Sequence, residues 1–213
     1  MPSSASFDET QERIAYEFRH ALPADSKAEL EMVFGGKLTG SMVGYYKSAW
    51  KHEGTTKYYA LTQFEVRILH IILWQIIITF LFSKATAARR AFPCWDEPLL
   101  KSTYTITMIS RANTVNLSNM PAISEELLEH GVNVPAELTD ILDSTKNDSD
   151  HWKITKFETT PLMSSYIVAF ANGPFEFLET KVSLSKKTIP LRIYSESQCH
   201  SLFVMGSKFL MGL

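Results

Sequence analysis

Short stretches in which apolar and polar residues alternate, each closed by a turn former, constrain this chain more than any other feature. A period of two turns one face of a segment to a core and the other to water, the pattern of half-buried β-strands. Glu29-Leu30-Glu31-Met32-Val33-Phe34 alternates as far as Val33 and stops at Gly35-Gly36, and Thr103-Tyr104-Thr105-Ile106-Thr107-Met108 sets threonine against larger apolar residues. Trp152 to Thr155, Ser165 to Phe170, Phe175 to Leu178 and Ile189 to Tyr194 continue the series, with Asn172-Gly173-Pro174 among the punctuating residues. Strands at this spacing, without long helices between them, predict an all-β, mainly antiparallel sandwich or layered sheet. The polar stretch from Ser118 to Asp150 breaks the rhythm. There Ser124-Glu125-Glu126-Leu127-Leu128-Glu129-His130-Gly131 carries a serine cap, early acids, a late histidine and a closing glycine, which predicts a short helix on a long loop, and Pro135 to Leu142 is a candidate for a second.

A run from Ile68 to Phe82 does not fit these surroundings, because only His70, Gln75 and Thr79 interrupt its Ile, Leu, Phe and Trp. A bilayer span needs roughly 20 apolar residues, so the run is short for one even with Arg67 and Lys84 at its flanks. A buried strand or helix, with His70 as a packed core histidine, is the other reading. The rest of the composition excludes more than it assigns. With 213 residues, 45% hydrophobic, 21% charged and a net charge of −2, the chain is too apolar for disorder and too neutral to steer nucleic acid. Its adjacent arginines are Arg89 and Arg90 alone, so no nucleic-acid partner is expected. Cys94 and Cys199 cannot make a disulfide scaffold, and Met1 to Thr10 has neither the basic start nor the apolar run of a signal peptide, which predicts a reducing, cytoplasmic setting.

Catalytic motifs fail on inspection. His52-Glu53-Gly54-Thr55-Thr56 begins like HExxH, but Thr56 stands where the second zinc-binding histidine belongs. His20, His70, His130, His151 and His200 lie far apart, so no metal site and no catalytic residue is assigned. There is no GxSxG elbow, and Gly35-Gly36-Lys37-Leu38-Thr39-Gly40 lacks the order of a phosphate loop and reads as a hairpin turn. Asp96 and Glu97 are adjacent, and consecutive side chains on extended backbone point to opposite faces, so they are not an acid/base pair. Enclosed by Pro93 and Pro98, they predict a rigid turn whose carboxylates take nearby backbone N–H groups or Arg89 and Arg90.

Thr62-Gln63-Phe64-Glu65, followed by Thr86-Ala87-Ala88-Arg89-Arg90-Ala91-Phe92-Pro93-Cys94-Trp95-Asp96-Glu97-Pro98, closely resembles the N-terminal domain of the zinc aminopeptidases that carry HExxH and GxMEN motifs, on the puromycin-sensitive aminopeptidase branch. Gly36 to Ser48, Asn119-Met120-Pro121 and Thr160 to Phe170 agree with the same family in the same order, so that the resemblance covers roughly residues 7 to 65 and 86 to 194. It implies a saddle-shaped β-sheet domain, residues 1–194 of this chain, that packs on a catalytic domain and closes one side of an active site acting on peptides. It also implies that Glu65, where the family places an acid or amide, binds the α-amino group of the peptide substrate. A desolvated carboxylate facing an ammonium gives a charge-assisted hydrogen bond, and fixing that ammonium limits cleavage to the first residue.

Two departures from the family qualify what the resemblance implies. The GxMEN segment, the HExxH histidines, the downstream glutamate ligand and the transition-state tyrosine have no counterpart here, and several opening strands are missing. The expectation is a non-catalytic fragment that holds no cofactor itself, the zinc belonging to the full-length enzyme. The second departure is the apolar run: relatives pass from the Glu65 position to the Thr86 position through one residue, whereas twenty intervene here. An insertion from Val66 to Lys84 starts with a valine codon, which always begins GT, can end in AAG, and its nineteen residues correspond to a multiple of three nucleotides. Those are marks of a short retained intron read in frame. Residues 195–213 leave the resemblance abruptly and read as a divergent tail. The rival reading is a non-catalytic binding protein with a membrane-inserted segment at Ile68 to Phe82.

Overall fold

The computed structural model describes residues 2–21, 23–67, 83–84, 86–128, 151–184 and 187–195. Among them every strand pairing is antiparallel. A hairpin of β1 (Ser4–Asp8) and β2 (Arg13–Glu17) opens the chain. The central sheet has four strands in the order β3-β4-β11-β8, built from Gly44–His52, Thr55–Gln63, Phe170–Gly173 and Val115–Ser118. A second sheet sets β10 (Trp152–Phe157) between β7 (Thr107–Arg111) and β9 (Ala122–Leu128). Among the described residues the ribbon of β12 (Glu176–Leu184) and β13 (Lys187–Ser195) pairs only with itself, and β5 (Val66–Arg67) meets β6 (Ser83–Lys84) in a two-rung pair.

Local chemistry explains the tightest joint. Glu53 and Gly54 connect β3 to β4 with φ of 49° and 80°. Positive φ at both central residues is the primed hairpin turn, whose twist suits two right-twisted strands and which glycine adopts without strain. The HE dipeptide is therefore a hairpin tip. The core lies where the end of β4 meets the segment after β6: Phe64, Ala88 and Val168 are buried together, with Phe92, Tyr104, Met163 and Phe170 packed around them. The Phe64 ring meets Phe92 and Phe170 edge-on, at 5.8 and 6.2 Å between centroids. Such aromatic contacts combine apolar burial with favourable quadrupole geometry.

A second, polar interior joins the two larger sheets. Asn116 on β8 donates to Ser110 Oγ and Thr155 Oγ1, both at 2.9 Å, and its own Oδ1 accepts from Asn172 Nδ2 at 2.7 Å. Thr155 in turn donates to Glu125 Oε2 at 2.9 Å, and Lys153 Nζ reaches Glu125 Oε1 at 2.9 Å. Buried side-chain polar groups cost free energy unless satisfied, and here each link of the chain satisfies the next.

The all-β expectation is met, with four corrections to its parts. Ser124 to Leu128 is strand, not helix, because β10 offers it a full ladder and places Lys153 and Thr155 on the face where Glu125 points; this nonlocal pairing overrides the local cap signals. Glu29 to Phe34 alternates but forms no strand, since it has no ladder partner among the described residues, and Gly35 to Gly40 is accordingly not a hairpin turn. Ser165 to Ile167 is a 3₁₀ turn, with strand beginning only at Phe170. Thr103 to Ile106 runs alongside Phe157 to Thr160 through isolated hydrogen bonds, and the strand proper starts at Thr107. The second helix proposed at Pro135 to Leu142, the apolar run Ile68 to Phe82 and residues 196–213 lie outside the described residues.

Candidate functional site

Glu65 stands two residues past the last residue of β4 and is half-buried. The residue before it, Phe64, is only 3% exposed and anchors the strand end in the core. Two backbone contacts hold the bend: Ala87 N–H donates to Phe64 O at 3.3 Å, and the Gln63 side-chain amide donates to Glu65 O. The Gln63 contact carries no sequence signal beyond an amide two residues before the acid.

Directly after Ala87, the 3₁₀ turn Ala88–Arg90 brings Arg89 to Asp96. Asp96 Oδ2 accepts from both the backbone N–H and Nε of Arg89 at 3.1 Å, while Arg89 Nη2 donates to Asp96 O at 3.1 Å. The other carboxylate oxygen, Oδ1, accepts from Ser165 Oγ at 2.6 Å. With its side chain 1% exposed, Asp96 is a buried charge whose partners are a guanidinium, a backbone amide and a hydroxyl, the arrangement that makes such burial tolerable. Glu97 faces the other way, exposed, with Arg13 Nη2 3.8 Å from its carboxylate. Arg90 pairs with Glu12 instead, at 2.9 Å. Pro93 lines a cleft of about 760 Å³ beneath the β1–β2 hairpin, and Pro98 O accepts from Ser164 Oγ at 2.6 Å. The two acids are thus separated by face, and the partner at Ser165, 69 residues away, had no local signal in the sequence.

Burial, reinforced by the nearby Asp96 charge and only partly offset by Arg89, pushes the Cys94 thiol up to about 12, so it is no nucleophile at neutral pH. Among the described residues, no three His, Cys, Asp or Glu side chains gather as a metal ligand set. No helix among them is long and apolar enough to cross a membrane. The strand end that carries Glu65 thus follows a packed aromatic ring, and the segment bonded to it leads into the buried Arg89–Asp96 ion pair.

Residues 2–68 and 77–136 match the peptidase M1 N-terminal domain, and the break in the match falls inside the apolar run. Aminopeptidase 2 of Candida albicans is 33% identical over 190 residues, which cover 89% of this chain and 16% of that protein. Alanine/arginine aminopeptidase of Saccharomyces cerevisiae is 35% identical over 170 residues, 79% of this chain and 15% of that protein. Aminopeptidase N of Canis lupus familiaris is 32% identical over 168 residues, 79% of this chain and 14% of that protein. The chain therefore spans about one-sixth of the length of the curated relatives it matches.

Proposed function

The chain belongs to the peptidase M1 N-terminal domain family, and from that premise we propose that residues 1–194 act as the substrate-amine-binding β domain of a cytoplasmic zinc aminopeptidase on the puromycin-sensitive branch. The observation that carries this reading is the setting of Glu65: a half-buried carboxylate at a strand end, with its preceding residue locked in the core and its backbone tied on both sides. No three His, Cys, Asp or Glu side chains gather among the described residues, and on this reading the zinc is held by a catalytic domain while this chain's own contribution is recognition of the peptide's first residue. A peptide ammonium at Glu65 would gain a charge-assisted hydrogen bond in a partly desolvated place, and the fixed strand end would hold the following peptide bond at a constant distance from that contact.

Val66 to Lys84 is an insertion into this domain. Three observations support the reading. The segment leaves and returns through adjacent rungs, Val66 opposite Lys84 and Arg67 opposite Ser83. The family match breaks within it. The Ala87 N–H to Phe64 O hydrogen bond, which now spans the excursion, would become an ordinary five-residue α-turn if those nineteen residues were removed. An in-frame retained intron accounts for such a segment.

The experiment joins the chain, without residues 66–84, to the catalytic domain of an active relative. Glu65→Ala is expected to lose about 2 to 4 kcal/mol of binding to the ammonium, roughly a 30- to 1000-fold fall in kcat/KM, and Glu65→Gln is expected to lose less because an amide oxygen still accepts. Unchanged kinetics in Glu65→Ala at unchanged Tm would return Glu65 to an ordinary surface acid.

A further inference from the structure

Asp96 is wired to the Glu65 strand end by two separate routes. The first runs through the 3₁₀ turn: Asp96 Oδ2 takes the Arg89 backbone N–H and Nε, Ala88 is fully buried against Phe64, and Ala87 N–H holds Phe64 O. The second runs through the opposite wall. Asp96 Oδ1 takes the Ser165 hydroxyl, Ser165 starts the turn that leads through Val168 to β11, Phe170 N–H donates to Thr62 Oγ1 at 3.2 Å, and β11 then pairs with β4 at Ala171–Leu61. Both routes end within four residues of Glu65. Ser164 Oγ, bonded to Pro98 O, closes the loop on the side of the Pro-flanked turn.

We propose that Asp96, with Arg89 and Ser165, is a positioning residue for substrate-amine recognition: it sets where the Glu65 carboxylate stands by clamping together the two segments that grip the end of β4. This rests on the Glu65 reading given above. The geometry distinguishes it from a general stabiliser. A carboxylate that merely filled a turn would need only local backbone donors, whereas each oxygen of Asp96 serves a different segment, seven and 69 residues away, and those two segments come together again in the core, where Ala88 and Val168 pack with Phe64, and at Thr62 through Phe170. Ordering of this kind matters because a charge-assisted contact to the substrate ammonium depends on where its carboxylate is held.

The test uses amide hydrogen exchange on the 213-residue chain, which reports local opening residue by residue. Asp96→Asn keeps the shape of the side chain but removes its charge and one accepting oxygen. The expected result is at least a tenfold faster exchange at the amides of Ala87 and Arg89, with a shifted Glu65 amide resonance, while amides in the middle of β3 and β4 keep their rates. Ser165→Ala, which spares the Arg89 contacts, is expected to move the Ile167 and Val168 amides more than Ala87. In the enzyme joined to a catalytic domain, Asp96→Asn raises KM about tenfold and leaves kcat within about twofold, as loss of a contact made equally in ground and transition states requires. Unchanged Ala87 exchange, uniform acceleration across all strands, or an unchanged KM would each overturn the proposal. The Glu65 reading fails separately, through wild-type kinetics in Glu65→Ala, and exchange at Ala87 does not depend on it.

Discussion

Replacing Glu125 with alanine removes the one exposed member of an otherwise enclosed polar chain and strands the lysine beneath it. Lys153 has a side chain only 8% exposed and Glu125 one that is 48% exposed, with 2.9 Å between Nζ and Oε1. Stripping one partner from a fully buried ion pair costs about 3 to 5 kcal/mol. Because water reaches half of Glu125 and screens the pair, the loss here is expected to be smaller, about 1.5 to 2.5 kcal/mol. At about 2 to 4 °C per kcal/mol for a chain of this size, Tm falls by roughly 3 to 10 °C. Lys153→Met separates pairing from burial: it removes the charge that needs a partner, so Glu125→Ala made in that background costs less than half as much, and the coupling appears directly in the double-mutant cycle. The pH dependence follows from the same contacts. Burial alone would push the Glu125 carboxyl up, but the hydrogen bonds from Lys153 and Thr155 and the ammonium's charge together hold it below its ordinary 4.5. A folded-state value below the unfolded one contributes stability above pH 4.5 that disappears as pH falls through the folded value, and Glu125→Ala lacks that loss. Urea titrations of the four proteins at pH 7 and pH 3.5 measure each quantity. A Glu125→Ala protein within about 0.5 kcal/mol of the parent at pH 7, or strictly additive mutants, would refute the reasoning.

Cys94, with its thiol near 12, is expected to react with iodoacetamide at neutral pH at least about a hundredfold more slowly in the folded chain than in urea, read by mass spectrometry of the peptide that contains it. Gly173→Ala puts a methyl 2.6 Å from Tyr59 Cβ and 3.0 Å from Phe175 Cζ, so about 1 to 3 kcal/mol of overpacking should appear in a urea titration. Deleting Val66 to Lys84 takes a concentrated apolar run out at paired rungs, and soluble yield should rise with the β-type circular dichroism retained. A less soluble deletion variant would make the segment a true core element.

The sequence revealed strands where local alternation and nonlocal pairing agree, as at Trp152 to Thr155 and Ile189 to Tyr194. Where the two conflict, local signals mislead. Ser124 to Leu128 carries the capping residues of a helix yet pairs with β10, and Glu29 to Phe34 carries the alternation of a strand yet finds no ladder among the described residues. The turn expected over Pro93 to Pro98 lies further on, where Leu100 N–H closes on Glu97 O, and although the Arg89 partner of Asp96 is only seven residues away, its link to Ser165 depends on the closure of a loop of more than sixty residues. Glu65 had no physical signal of its own: an acid after a buried phenylalanine is common, and only the family resemblance singled it out. The Asn116–Thr155–Glu125 chain was illegible for the opposite reason, because each member is an ordinary strand residue until three separate strands bring them together.

The pairing of β11 with β4, Ala171 against Leu61, joins residues about 110 positions apart, and it sets a schedule for the ribosome. The β3–β4 hairpin has its own tight turn and can zip as soon as it emerges, but the strand that covers its open side is not made until roughly 5 to 20 s later at ordinary rates of synthesis. Throughout that wait the nascent polypeptide displays an uncapped hydrogen-bonding edge, and the next stretch to leave the exit tunnel is the fifteen-residue apolar run from Ile68 to Phe82. Any chain that carries the run therefore holds a bare β4 edge and a concentrated apolar stretch at the same time, at a stage when the finished protein's own contacts do not yet exist.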